Sequence, residues 1–158
     1  MVGGVATFEL YQAAQEILQE IQDDSIVNLP PPSEIRPIVN PVLGRRAIYF
    51  HHIIATSKRR VVLDWAKELG LGGFSKIGWP GVIIAEGQEP CVVEYVRRLQ
   101  HLRWKQMVVR GEQVESNSNA PRLLPVPFTE LRDMSVLAQE CKQAGVSELF
   151  LTTMKIYR

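Results

Sequence analysis

The order of strand and helix patterns in the sequence predicts an α+β fold. Over residues 47–111 of the 158-residue chain, β-branched apolar runs and amphipathic helical repeats follow the order β-α-β-β-α-β. This order is typical of the ferredoxin-like fold, in which two helices cover one face of a four-stranded antiparallel sheet. We also expect an N-terminal helix before this unit and a helical C-terminal extension after it.

The first 45 residues are predicted to lie outside the sheet. Residues 1–27 should contain an amphipathic helix, because apolar side chains repeat at helical spacing after the N-cap candidate Thr7. Residues 28–45 hold five prolines, which exclude a helix and suit a stiff linker. The folded domain with its extension is therefore expected at residues 46–158.

The elements of the domain follow from local patterns. Residues 47–55 are predicted as the first strand, and Ser57 as the N-cap of a helix that the glycines at 70–73 end. Residues 74–77 and 82–86 are predicted as strands joined by a Gly-Trp-Pro-Gly turn.

The rest of the chain completes the predicted order. Pro90 suits the first turn of a second helix, and residues 105–111 are predicted as the closing strand. A loop at 116–127 and a helix at 132–144 should follow. Residues 147–157 are amphipathic, and for them we favour a helix over a strand.

Composition narrows the class of protein. Apolar residues make up 46% and charged residues 22%, and the net charge of +1 excludes polyanion binding by bulk charge. No apolar run reaches the roughly 18 residues of a membrane span, and no secretory signal pattern is seen. The two cysteines, Cys91 and Cys141, are too few for a disulfide scaffold. We therefore expect an intracellular protein, cytoplasmic or nuclear, with no membrane partner.

Charge is unevenly distributed along the chain. Residues 1–40 carry a net charge of −5, residues 41–115 a net charge of +5, and residues 116–158 a net charge of +1. In the basic segment, Lys58, Arg59 and Arg60 follow Ser57 at a predicted helix N-terminus, where the helix dipole disfavours cations. Free backbone N–H groups, a hydroxyl and three cations would together bind an anion, and phosphate is the obvious one. The alternative is a solvated basic turn.

A second basic cluster lies near the end of the second predicted helix. Its members are Arg97, Arg98, His101, Arg103 and Lys105. Cations at a helix C-terminus compensate the helix dipole, so a structural role is favoured there.

The sequence contains no motif for metal binding or catalysis. His51 and His52 are adjacent in a predicted strand and should point to opposite faces, so they should not share a metal ion. No phosphate-binding glycine loop and no G-x-S-x-G motif is present. We expect no catalytic residue, no cofactor and no enzymatic activity.

Several separated motifs nevertheless resemble a known family. They are residues 49–53 (YFHHI), 58–59 (KR), 65–69 (WAKEL), 73–75 (GFS) and 78–83 (GWPGVI). In this order they resemble the C-terminal domain shared by RWD-domain-containing proteins and a pre-mRNA splicing factor of the tri-snRNP. The predicted N-terminal helix looks like the last helix of an RWD domain, which would make the chain a fragment of a longer protein.

The resemblance implies a ferredoxin-like fold with a helical extension and no enzyme. In the splicing factor this domain contacts paired small nuclear RNA and its single-stranded extension. For this chain the resemblance implies RNA contacts only from Lys58, Arg59 and Arg60, with His51 or His52 nearby. Where relatives often show Gly-Lys-Pro-Gly, this chain has Trp79 in place of the lysine, which suggests a protein contact or a stacking platform.

Two hypotheses follow from the sequence. The first is a non-catalytic RNA-binding module that uses the helix end at residues 57–60, with structured or overhanging RNA as its partner and no DNA expected. The second is a protein-interaction adaptor that uses the open sheet face, Trp79 or the N-terminal helix.

Overall fold

The computed structural model of the protein describes residues 42–155. The predicted N-terminal helix and almost all of the predicted proline-rich linker lie outside the described residues. The strands are β1 (Leu43–Phe50), β2 (Gly72–Lys76), β3 (Gly81–Gln88), β4 (Met107–Val114) and β5 (Thr129–Leu131). The helices are α1 (Thr56–Glu68), α2 (Glu89–Gln100), α3 (Met134–Ala144) and α4 (Ser147–Thr153).

The strands form one mixed sheet in the order β4-β1-β3-β2-β5. Strand β1 pairs antiparallel with β3 and β4, and β2 pairs antiparallel with β3, which confirms the predicted ferredoxin-like arrangement. Strand β5 adds a fifth, parallel strand beside β2. It was not predicted, because three residues are too few to display a period of two.

Two hydrophobic cores lie on opposite faces of the sheet. Along β1, Ile48 and Phe50 belong to a core with residues of α1 and α2, whereas Ala47 belongs to a core with residues of α3 and α4. The C-terminal extension therefore covers the face that α1 and α2 leave free. This corrects the expectation of an open sheet face as a protein-binding surface.

The junction between β1 and α1 differs from the prediction. Strand β1 starts four residues before the predicted position and ends at Phe50, where the chain bends. Helix α1 is preceded by Ala55 as its N-cap, with no side-chain capping hydrogen bond, so the prediction of Ser57 as the cap was wrong. No helix within residues 42–155 is long and apolar enough to cross a membrane.

A buried ion pair connects the sheet to the C-terminal extension. Arg45 and Glu86 face each other across β1 and β3, and both side chains are buried. Arg45 donates to Glu86 at 2.7 Å and to Glu115 at 2.6 Å. The carboxylate of Glu86 also accepts from the backbone N–H groups of Leu123 and Leu124, at 2.9 to 3.0 Å. These bonds satisfy the buried charges and hold the start of the extension against the sheet.

Replacing Glu86 with glutamine should destabilise the fold strongly. Removing one partner of a buried ion pair leaves the other charge without full compensation, at a cost of about 3 kcal/mol or more. Urea unfolding should measure this loss. Glu112→Gln provides a matched control, because Glu112 lies 3.3 Å from Arg46 with its side chain 61% exposed. That change should cost less than about 1 kcal/mol. Equal losses in the two variants would contradict the role given to Glu86.

The buried thiol of Cys141 should make stability fall at alkaline pH. Burial in the second core raises the pKa of Cys141 to about 12. An unfolded thiol titrates near about 8.5, so above this pH the unfolded state loses a proton that the folded state keeps. The free energy of unfolding should therefore fall by about 2 kcal/mol between pH 8 and pH 10 from this group.

The variant Cys141→Ala isolates this contribution. Its free energy of unfolding, measured beside the wild type from pH 8 to pH 10, should lack this component of the fall. A difference between the two proteins that stays constant with pH would contradict the assignment, since a cavity costs the same at each pH.

Candidate functional site

Three chain segments meet where β1 and β2 end and where β3 and β4 begin. They are residues 51–57 after β1, residues 77–80 between β2 and β3, and residues 101–106 before β4. The N–H of His51 donates to the carbonyl of Gln106 at 3.1 Å, and Ile53 and Gly78 exchange backbone bonds of 3.0 and 2.9 Å. We call these three segments, together with the first turn of α1, the strand-end surface.

Lys58 lies inside this surface rather than on it. Its side chain is buried, and its Nζ donates to the carbonyl of Arg103 and lies 4.8 Å from the ring centre of Trp104. Lys58 shares one helix face with Val62 and Trp65, which are buried in the first core. The prediction that Lys58 forms one anion-binding site with Arg59 and Arg60 is therefore wrong for Lys58. The spacing 58-62-65 was the signal that could have revealed this.

The other residues of the predicted anion-binding site lie in different environments. Arg59 forms a bidentate ion pair with Glu130 of β5, with N–O distances of 3.2 and 2.8 Å. Hydrogen bonding to Glu130 raises the pKa of Arg59. Ser57 and Arg60 are exposed. The cations of α1 are therefore divided between the interior, an ion pair and solvent.

The second basic cluster divides into two parts. Arg97 and Arg98 form ion pairs with Glu94 within α2, and Arg98 also pairs with Glu68 of α1, so Arg98 connects the two helices. Arg103 and Lys105 are exposed on the loop before β4, which belongs to the strand-end surface. Sequence alone could not place these two side chains beside the start of α1, because 45 residues separate Lys58 from Arg103.

The two histidines lie side by side at the centre of the surface. Their ring centres are 5.1 Å apart at an angle of 73°, with His52 buried and His51 half-buried. The expectation that they face opposite sides of a strand was wrong, since β1 ends one residue earlier, at Phe50. Within residues 42–155, no group of three His, Cys, Asp or Glu side chains could hold a metal ion.

Trp79 is the exposed tryptophan of this surface. Its side chain is 56% exposed, and its ring centre lies 5.7 Å from that of His52. Lys76 is buried beneath the turn and donates to the carbonyls of Trp79 and Pro80 at 3.3 and 2.8 Å. Burial lowers the pKa of the Lys76 ammonium. The turn that carries Trp79 is therefore fixed from below.

The strand-end surface can bind an anion and contact a flat ring. Exposed guanidinium and ammonium groups bind phosphate or carboxylate, and an exposed indole offers a face for stacking.

Burial raises the pKa of both Cys91 and Cys141, so neither thiol is activated as a nucleophile.

Comparison with known proteins identifies the domain. Two solved structures are similar to this chain, but at low sequence identity and low TM-score. Their similarity says nothing of a shared activity. Full-length HypF in its phosphate- and nucleotide-bound form is 20% identical with a TM-score of 0.38, and the match covers 61% of this chain and 12% of that chain. Acylphosphatase from Bacillus subtilis is 21% identical with a TM-score of 0.40, and the match covers 56% of this chain and 98% of that chain. The family model described as small nuclear ribonucleoprotein Prp3, C-terminal domain, matches residues 46–149, which is more than half of the chain, and the protein therefore belongs to this family.

Proposed function

We propose that this protein is a non-catalytic module that binds RNA phosphates through the strand-end surface. The observation that carries the proposal is the exposure of Arg60, Arg103 and Lys105 on α1 and the loop that meet at this end of the sheet. Family membership supports it, since a small nuclear ribonucleoprotein is by its name a particle of protein and RNA. We further propose a nuclear location and partners within such a particle.

Lys58 supports the surface without touching the RNA in this proposal. Its bond to the Arg103 carbonyl ties the loop to α1, and the indole of Trp104 packs on Phe50 with ring centres 4.5 Å apart. A loop held in place loses little conformational freedom when its side chains bind phosphate. The ion pair of Arg59 with Glu130 leaves Arg60 as the cation of α1 best placed to contribute.

RNA binding through this loop should respond steeply to salt. For the wild type, fluorescence anisotropy with a short RNA hairpin bearing a 3′ overhang should give weaker binding at about 200 mM salt than at about 50 mM. The variant Arg103→Glu with Lys105→Glu should bind at least about 10-fold more weakly. Its slope of log affinity against log salt should be shallower by about 1.4, for two phosphates lost.

A control variant separates this local effect from bulk charge. Lys67→Glu with Lys142→Glu changes the net charge by the same amount at exposed positions in the last turns of α1 and α3. It should keep most of the affinity. Equal loss in the two variants would contradict a binding site at the strand-end surface, and the absence of binding by the wild type at low salt would refute the proposal itself.

A protein-interaction adaptor is the second candidate function. The 56% exposure of Trp79 favours it, because tryptophan is enriched at the centres of protein interfaces. Such binding would depend on Trp79 and only weakly on salt, whereas phosphate binding would depend on Arg103 and Lys105. The salt series above therefore distinguishes the two candidates.

A further inference from the structure

We infer that Trp79 is a stacking site for one unpaired nucleobase of the bound RNA. This inference rests on the proposed function and adds a base contact to the phosphate contacts. It concerns the indole in the turn between β2 and β3.

The indole of Trp79 is far more exposed than the other apolar side chains of the strand-end surface, which are buried or half-buried. Within the segments 51–57, 77–80 and 101–106, it is the one large apolar side chain that is exposed. A protein hot spot is normally surrounded by other contacts that exclude water, so a solitary ring fits that use poorly. A nucleobase needs only the face of one ring.

The turn presents the indole in a fixed position. Backbone bonds between Ile53 and Gly78 close one side, and the buried ammonium of Lys76 holds the carbonyls of Trp79 and Pro80 from below. Gly78 has a φ of +90°, a conformation that other residues rarely adopt. His52 contacts the indole from the interior side. A fixed ring loses little freedom when a base stacks on it.

The phosphate-binding cations lie within reach of the same strand of RNA. The loop that carries Arg103 and Lys105 precedes β4, and the turn of Trp79 precedes β3, with β1 between them. Two strand spacings, or about 10 Å, therefore separate their backbones. A single strand whose phosphates lie on the loop can place a base against Trp79.

The test compares RNA hairpins whose 3′ overhang carries bases or abasic sugars. With bases present, Trp79→Ala should lower affinity by about 5- to 150-fold, the range for loss of one base–aromatic stack. With the abasic overhang, the wild type and Trp79→Ala should bind equally, and Trp79→Phe should retain most of the affinity for the base-bearing overhang. The salt slope should stay unchanged in Trp79→Ala, because no phosphate contact is lost. Urea unfolding of Trp79→Ala verifies that the fold is intact.

Each outcome decides between the inference and the proposed function. Equal loss with both overhangs would overturn the inference, because Trp79 would then act without a base. No loss with either overhang would also overturn it and leave Trp79 to a protein contact. In both cases, salt-dependent binding that requires Arg103 and Lys105 would leave the proposed function standing. No RNA binding by the wild type would refute both.

Discussion

The buried ion pair of Arg45 with Glu86 is the interaction on which the arrangement of the domain depends. A carboxylate with no exposed surface is tolerable only when it is paired and hydrogen-bonded, and Glu86 accepts from one guanidinium and two backbone amides. Because those amides belong to the chain after β4, the buried carboxylate of Glu86 fixes the position of the start of the C-terminal extension on the sheet. The extension then supplies α3 and α4 to the second face and β5 to the edge of β2. Glu130 of β5 in turn holds Arg59 at the start of α1.

Much of the fold could be predicted because it follows from local patterns. The β-α-β-β-α-β order, the first turn of α2 with Pro90 and the end of α3 at Gly145 each depend on residues close in the chain. The covering of the second sheet face could not be predicted, since an amphipathic helix pattern does not say which surface the helix meets. The charged residues Arg45 and Glu86 lie two positions from Ala47 and Ile84 and so share the sheet face of the second core, and only their pairing across strands makes that burial acceptable.

The candidate site was predictable in its composition but not in its geometry. Runs of basic residues identified residues 58–60 and 97–105 as candidates, yet the partners of Lys58 and Arg59 are distant in sequence. Glu130 lies 71 residues from Arg59, and the Arg103 carbonyl lies 45 residues from Lys58. Such pairings decide which cations are exposed, and the charges of neighbouring residues in the sequence do not reveal them. The result is a surface in which the buried Lys58 and Lys76 position a loop and a turn, while Arg103, Lys105 and Trp79 face outward.

The central claim is that ligands bind at the strand-end surface and not at the opposite end of the sheet. Mapping of backbone amide NMR shifts during titration with the overhanging RNA hairpin tests this claim most directly, because it alters no residue. The account predicts the largest shifts within residues 51–60, 77–80 and 101–106. Shifts concentrated at residues 70–72 and 122–126, where β2 begins and the extension crosses the opposite end of the sheet, would contradict it.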